Sequence, residues 1–350
     1  MSAPNTRYRQ RGLTLVELMI ALTLSMIMLA GVLVVFAGNK VSYRMQEGLS
    51  TVQDSGRHAI SQIKRDVELA GFGGCLTSEQ KFRNPSLLAD DPLPYVTDFQ
   101  TGLRITGEEG VSGFSVDGKD VLDGTDVIQI RGPLRSRTFY VTQPIFPNNP
   151  VVVAGDASAF AAEEILMISD CSGADIFEAT AVTVTAGSPT TTSITHTTGN
   201  TRPILTRKYG ADAVVTELST HTYFIGESDW PDDAGGVVLS LFRADGNGTP
   251  EEILQGVEDM QIAYGIDSND DGQADTFEDA STVADWTQVV STRFSLLMNS
   301  IDPASDTEAN YLYVGGSVSI DPASASPITP ADRLLRQEFI ASMAMRNNIL

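Results

Sequence analysis

Arg11-Gly12-Leu13-Thr14-Leu15-Val16-Glu17-Leu18-Met19 opens an apolar run, LTLVELMIALTLSMIMLAGVLVVFAG, that continues to Gly38. Ahead of it, MSAPNTRYRQRG supplies Arg7, Arg9 and Arg11 and no acid. Glu17 is the only charged residue between Leu13 and Gly38. At about 1.5 Å rise per residue, one helix of this run is long enough to cross a bilayer. The basic leader predicts a cytoplasmic N-terminus. A secretory signal peptide fits poorly, because its apolar core is shorter, about 7–15 residues, and ends at a small-residue cleavage site not evident here. A plain membrane anchor explains the length but not Glu17. A carboxylate inside lipid costs at least about 2.5 kcal/mol and normally marks a partner.

The helical pattern continues past Gly38. Val41, Met45, Leu49, Val52, Ala59, Ile60, Ile63, Val67 and Ala70 fall mostly three, four or seven apart, as one buried stripe requires. No proline interrupts before Pro85. Gly38, Gly48 and Gly56 are points where such a helix could bend, and Gly71-Phe72-Gly73-Gly74-Cys75 reads as its end. No Gly-Lys-Ser/Thr follows these glycines, so they do not read as a phosphate loop.

From about Thr77 the texture changes to short β-type runs between Gly, Pro, Asp and Asn. Strands are expected over 126–131, 137–142, 164–169, 176–184, 214–225, 237–243, 259–266, 288–298 and 337–345. Val127-Ile128-Gln129-Ile130 alternates apolar and polar, as a half-buried antiparallel strand does. Residues 84–124 and 185–203 are rich in turn formers and Ser/Thr and read as surface excursions. The fold class expected is α+β: a long N-terminal helix packed on an antiparallel, β-rich head. The boundaries are a leader 1–12, an apolar helix 13–38, its amphipathic continuation 39–74 and a head 75–350.

Composition narrows the function. The 350 residues carry 23 Lys+Arg against 45 Asp+Glu, a formal charge of −22. That balance argues against nucleic acid as a partner, since phosphate binding needs clustered cations. With two Cys and three His, a four-Cys zinc site is excluded and little material remains for acid–base catalysis. No nucleophile–base–orienter set or cofactor loop is visible, so an enzyme is not expected.

The stretch from Arg11 to Met19 resembles the class III signal of type IV prepilins and pseudopilins. The resemblance implies cleavage by a prepilin peptidase between Gly12 and Leu13, followed by N-methylation of Leu13. The family most often has Phe where this chain has Leu13. Glu17 then becomes the fifth residue of the mature chain. There it can neutralise the cationic amine of a neighbouring subunit, turning two costly intramembrane charges into one pair. Further on, 239–248, the Val-Glu-Asp-Met-Gln-Ile-Ala-Tyr stretch at 257–264, 290–297 and the closing region from Arg333 to Asn347 resemble PilW-like minor pilins, relatives of the J-type pseudopilin of type II secretion. Residues 77–235 match less clearly. The resemblance implies a type IV pilin-like fold, an inner-membrane anchor with a periplasmic head, and a pilus or cell-surface location after assembly. Its implied partners are other minor pilins, the major pilin, the prepilin peptidase and the inner-membrane assembly platform.

Asp267-Ser-Asn269-Asp-Asp271-Gly272-Gln273-Ala-Asp275-Thr-Phe-Glu278 has the spacing of a calcium loop. Oxygen ligands at Asp267, Asn269 and Asp271, the Gln273 carbonyl, Asp275 through water and a bidentate Glu278 could encircle Ca²⁺. The expected helix pair is absent, because the segment before Asp267 reads as a strand; a solvated turn remains the plain alternative. Asp245-Gly-Asn247-Gly reads as a hairpin turn. Cys75 and Cys171, both on the oxidising side, are expected to form one disulfide closing a loop of about 100 residues; two buried thiols are the other reading. The function expected is a minor type IV pilin that primes pilus assembly and sits in the tip complex, serving twitching motility and adhesion. A J-like pseudopilin and a Ca²⁺-dependent pilus-displayed adhesin are the alternatives.

Overall fold

In the computed structural model, α1 runs Leu15–Leu69 as one helix of 55 residues. The structure describes residues 14–72, 104–134, 137–196, 204–232, 234–245, 249–308, 310–315, 326–328, 330 and 332–346. From Leu15 to Phe36 the large apolar side chains of α1 are all exposed. Among the described residues α1 is the one helix long and apolar enough to cross a membrane. The second half turns a stripe of Val52, Gly56, Ala59, Ile63, Asp66 and Val67 into the head, at the three- and four-residue spacing of one helix face. Met45 and Leu49, expected on that stripe, are instead exposed. The head touches this stretch through Arg44, which pairs with Asp306 at 3.0 Å, and through Gly48, and leaves these two side chains uncovered.

The glycines expected as bends serve close packing. α1 is continuous through Gly38, Gly48 and Gly56. A Cβ on Gly48 would lie 3.1 Å from the Ala304 Cβ, and one on Gly56 would overlap the Phe339 ring. The helix stops at Leu69, slightly before the expected end. The Ala70 N–H donates to the Val67 carbonyl (3.2 Å) and the Phe72 N–H to the Leu69 carbonyl (3.0 Å). Gly71, at φ +64°, takes the left-handed turn.

The first head strands are β1 (Ile105–Glu108), β2 (Ser115–Val116), β3 (Lys119–Asp120) and β4 (Val127–Gly132). Then come β5 (Thr138–Tyr140), β6 (Val151–Ala154), β7 (Ile165–Asp170), β8 (Gly173–Glu178), β9 (Ala181–Thr185), β10 (Thr191–Thr195) and β11 (Val214–Glu217). The last set is β12 (Ser219–Glu227), β13 (Leu239–Ala244), β14 (Glu251–Gln255), β15 (Val257–Ile266), β16 (Thr276–Asp279), β17 (Val289–Asn299), β18 (Tyr311–Tyr313), β19 (Ser326–Ile328) and β20 (Arg336–Ala344).

Two sheets hold the helix: a five-stranded one ordered β1-β4-β12-β13-β14 and a four-stranded one ordered β16-β15-β17-β20. Val52, Ala59, Ile63 and Val67 of α1 share one core with Ile128, Ile130, Tyr223, Leu241, Ile262, Phe294 and Met343. Each fully buried Val or Ile of this kind contributes about 1.5–3 kcal/mol. The remaining large sheets, β6-β10-β9 and β5-β11-β7-β8, build a separate core around Val153, Phe160, Ile168, Phe177 and Tyr209.

Several sequence expectations change here. Within 84–124, the part from Arg104 is no surface excursion: it carries β1–β3 and buries Ile105, Val111, Val116 and Val121. Within 185–203, β10 buries Thr192 and Ile194. Short strands between turn formers carry too few apolar residues to stand out from loops. The runs 176–184 and 214–225 each split into two strands of different sheets, at Ala179-Thr180 and at Leu218. Alternation continues across such a switch, so the pattern alone does not reveal it.

Candidate functional site

At its start, α1 is closed by a capping box. Thr14 is the N-cap; its hydroxyl accepts from the Glu17 N–H at 3.2 Å. The Glu17 carboxylate in turn accepts from the Thr14 N–H (3.0 Å) and the Thr14 hydroxyl (3.1 Å). Glu17 therefore has a local role in starting the helix besides the charge pairing expected of it. Its carboxylate is held at the first turn of α1. Gly12 and Leu13 themselves lie outside the described residues.

The acid loop joins β15 to β16, which pair antiparallel from Ile266↔Thr276 onward. Asp267 is almost buried. One of its oxygens accepts from the Asn269 and Asp271 N–H groups (3.2 Å each), the other from the Gly272 N–H (2.7 Å). Asn269 Oδ1 accepts from the Asp271 N–H, and Asp271 Oδ1 from the Gln273 N–H, both at 2.9 Å. Asp275 accepts from the Ser268 N–H (2.9 Å) and hydroxyl (2.6 Å), bonds that hold its carboxyl below the usual carboxylate range. Gly272 at φ +81° makes the sharp turn, as the spacing predicts.

Asp267, Asn269, Asp271 and Asp275 are thus brought into one hydrogen-bonded loop, an all-oxygen set suited to a hard cation. Their oxygens serve the loop's own N–H groups, and among the described residues no group of three or more His, Cys, Asp or Glu is arranged to hold a metal ion. Glu278 leaves the loop on β16, opposite Tyr264. The turn Asp245–Gly248 lies only partly within the described residues; its flanking strands β13 and β14 do pair antiparallel. Cys171 sits between β7 and β8, and no cysteine among the described residues is a free thiol. Cys75 lies outside them.

One constellation was not anticipated. Asp66, on the buried face of α1, lies 2.6 Å from His221 Nδ1 and accepts the Tyr223 hydroxyl at 2.6 Å. All three are buried. Its sequence signals were an acid three residues past Ile63 on the apolar stripe, and His221 and Tyr223 two apart on one strand face. Neither signal named its partner. A second buried acid, Asp126, accepts from the Gly110 (2.8 Å) and Ile262 (2.7 Å) N–H groups and so ties the start of β4 to β15. Burial, with Glu109 and Asp259 nearby, pushes its carboxyl up to about 7.

An exposed apolar helix capped by Thr14 and Glu17, whose far half is locked into an antiparallel head, is the architecture of a type IV pilin. Residues 7–33 match the prokaryotic N-terminal methylation motif, and residues 222–347 match the family of type IV pilus-assembly protein W. Over these two stretches the chain is similar to a PilW-type pilin with a prepilin signal. Comparison with curated proteins and with solved structures gives no match.

Proposed function

We propose that this chain is a minor pilin that primes assembly of a type IV pilus and takes a place in its tip complex. The observation that carries the reading is α1: its apolar half stands clear of the head, with Glu17 fixed in the first turn. Such a helix is left to pack against lipid before assembly and against other helices afterwards. The basic leader supports a cytoplasmic N-terminus and a periplasmic head. The matched motif supports cleavage after Gly12 and methylation of Leu13, with Glu17 then pairing with the amine of an adjacent subunit. The role is structural rather than catalytic. The matched description favours the pilus over a J-like role in type II secretion.

Two features of the head belong to the same proposal. The loop 267–275 takes Ca²⁺ through Asp267, Asn269, Asp271, the Gln273 carbonyl and Asp275. Bound calcium would neutralise the loop's crowded carboxylates; substitution of Glu278 tells whether that side chain or water closes the ring. Cys171 pairs with Cys75, tying the segment after α1 to the β7–β8 turn.

Deletion of the chain tests the reading. Loss of surface pili and twitching, together with co-purification of the other minor pilins from solubilised membranes, supports it. Intact piliation with lost attachment would replace it by the adhesin reading.

A further inference from the structure

The strand pair β4–β12 is opened by a second folded unit. Gly132, the last residue of β4, pairs with Ser219, the first of β12, so the chain departs and returns at facing positions. Between them β5–β11 form two sheets with their own core, in which Val153, Ile168, Phe177 and Tyr209 are fully buried. None of these four contributes to the core that holds α1; among the described residues of 133–218, only Leu134, just after β4, lies in it. Several polar groups of the unit also find their partners within it. Asp175 accepts from the Thr206 N–H (2.9 Å) and hydroxyl (2.6 Å), Arg207 pairs with Asp170 at 3.2 Å, and Arg137 bonds the Ala159 carbonyl and Glu217. At roughly 85 residues, such a unit can bury enough surface to fold alone.

Its place on the subunit is fixed by the end of α1. The Gly71 N–H donates to the Arg131 carbonyl at 2.8 Å, and a Cβ on Gly132 would come within 2.6 Å of the Leu69 carbonyl oxygen. Leu69 lies about 46 Å along the helix from Gly38, the end of the apolar run. The unit is therefore attached at the end of α1 far from the apolar run. It also falls between the two family matches, which cover 7–33 and 222–347.

We propose that residues 133–218 are an autonomously folding display module, carried outward at the far end of α1 and dispensable for assembly of the subunit into the pilus. Assembly resides in α1 and the two sheets packed on it. This division rests on the reading of the chain as a pilus subunit.

The test replaces 133–218 in the full chain by Asn-Gly, a two-residue turn that closes an antiparallel hairpin. Cys75→Ser accompanies it, because the replacement removes Cys171. In a host lacking the wild-type chain, membrane accumulation and surface piliation are expected within about twofold of wild type. Normal accumulation with piliation at the level of the deletion strain would overturn the proposal. Should the shortened chain fail to accumulate, calorimetry of the intact chain in detergent decides. Phe177→Ala is expected to lower one transition and Ile63→Ala a different one; a single transition shifted by both overturns the module. A deletion strain that is fully piliated would count against the pilus role alone, leaving the calorimetric result to stand by itself.

Discussion

The Asp66 carboxylate, one turn from the end of α1, lies 2.6 Å from His221 Nδ1 on β12. An acid at a helix C-terminus faces the negative end of the helix dipole, and a buried one is also stripped of water. Only partners in the head make it tolerable there, and Tyr223 supplies the second. Helix and head are therefore joined by a polar latch inside the apolar core.

Breaking the latch from the acid side strands two buried donors. Asp66→Ala is expected to cost about 3–5 kcal/mol, and Tyr223→Phe, which removes one bond to a buried acid, about 1.5–3 kcal/mol. Denaturant unfolding of a head fragment beginning at Asn39 measures both. Equal, small losses in the two variants would show that the latch adds nothing beyond packing.

At the other end of the helix, Glu17→Ala removes both the cap and the intramembrane carboxylate. The variant is expected to accumulate in the membrane at wild-type level while its share in sheared surface pili falls at least about tenfold, the effect of losing a pair worth 1.4 kcal/mol or more. Wild-type incorporation would refute the charge pairing.

Calcium is expected to raise the melting temperature of the head fragment by several degrees, as about 1–3 kcal/mol of linked binding does. Asp271→Ala should abolish the shift. A melting curve unchanged by chelator would leave 267–275 as a turn only.

Asp126 gives the head an unusual pH response. Its folded carboxyl titrates near about 7, raised by burial and by Glu109 and Asp259, whereas an unfolded Asp titrates near 3.9. The folded state therefore binds the proton more tightly. Its contribution is complete below about pH 4 and is lost as pH rises through about 7. Melting temperature should rise between pH 8 and pH 5.5, and Asp126→Asn should flatten that slope. A wild-type profile that falls over the same range would contradict this sign.

If Cys171 is bridged to Cys75 as proposed, reduction, or Cys171→Ser, is expected to destabilise the head by about 2–5 kcal/mol. Mass measurement before and after reductive alkylation checks whether the bridge is present.

Sequence legibility followed the range of the forces involved. The spacing of apolar residues from Leu13 to Val67, with the Arg11–Met19 signal at its head, determined a long helix with a prepilin-like start, because each signal lies within one or two turns of chain. Short β-type runs between turn formers placed β4, β7, β13, β15, β17 and β20. The Asp/Asn/Gly spacing at 267–275 determined the shape of that loop, since Gly272 and the Asx side chains act on their own backbone. Tertiary structure decided the rest. It showed which part of the helix stripe the head covers, leaving Met45 and Leu49 exposed. It turned Gly48 and Gly56 from bends into contacts with Ala304 and Phe339, and brought Asp66 to His221 across some 150 positions of chain. It also divided the head at Gly132 and Ser219, where one continuous alternating pattern hides a change of core. Contacts of that kind depend on which surfaces meet, and local spacing carries no record of the partner.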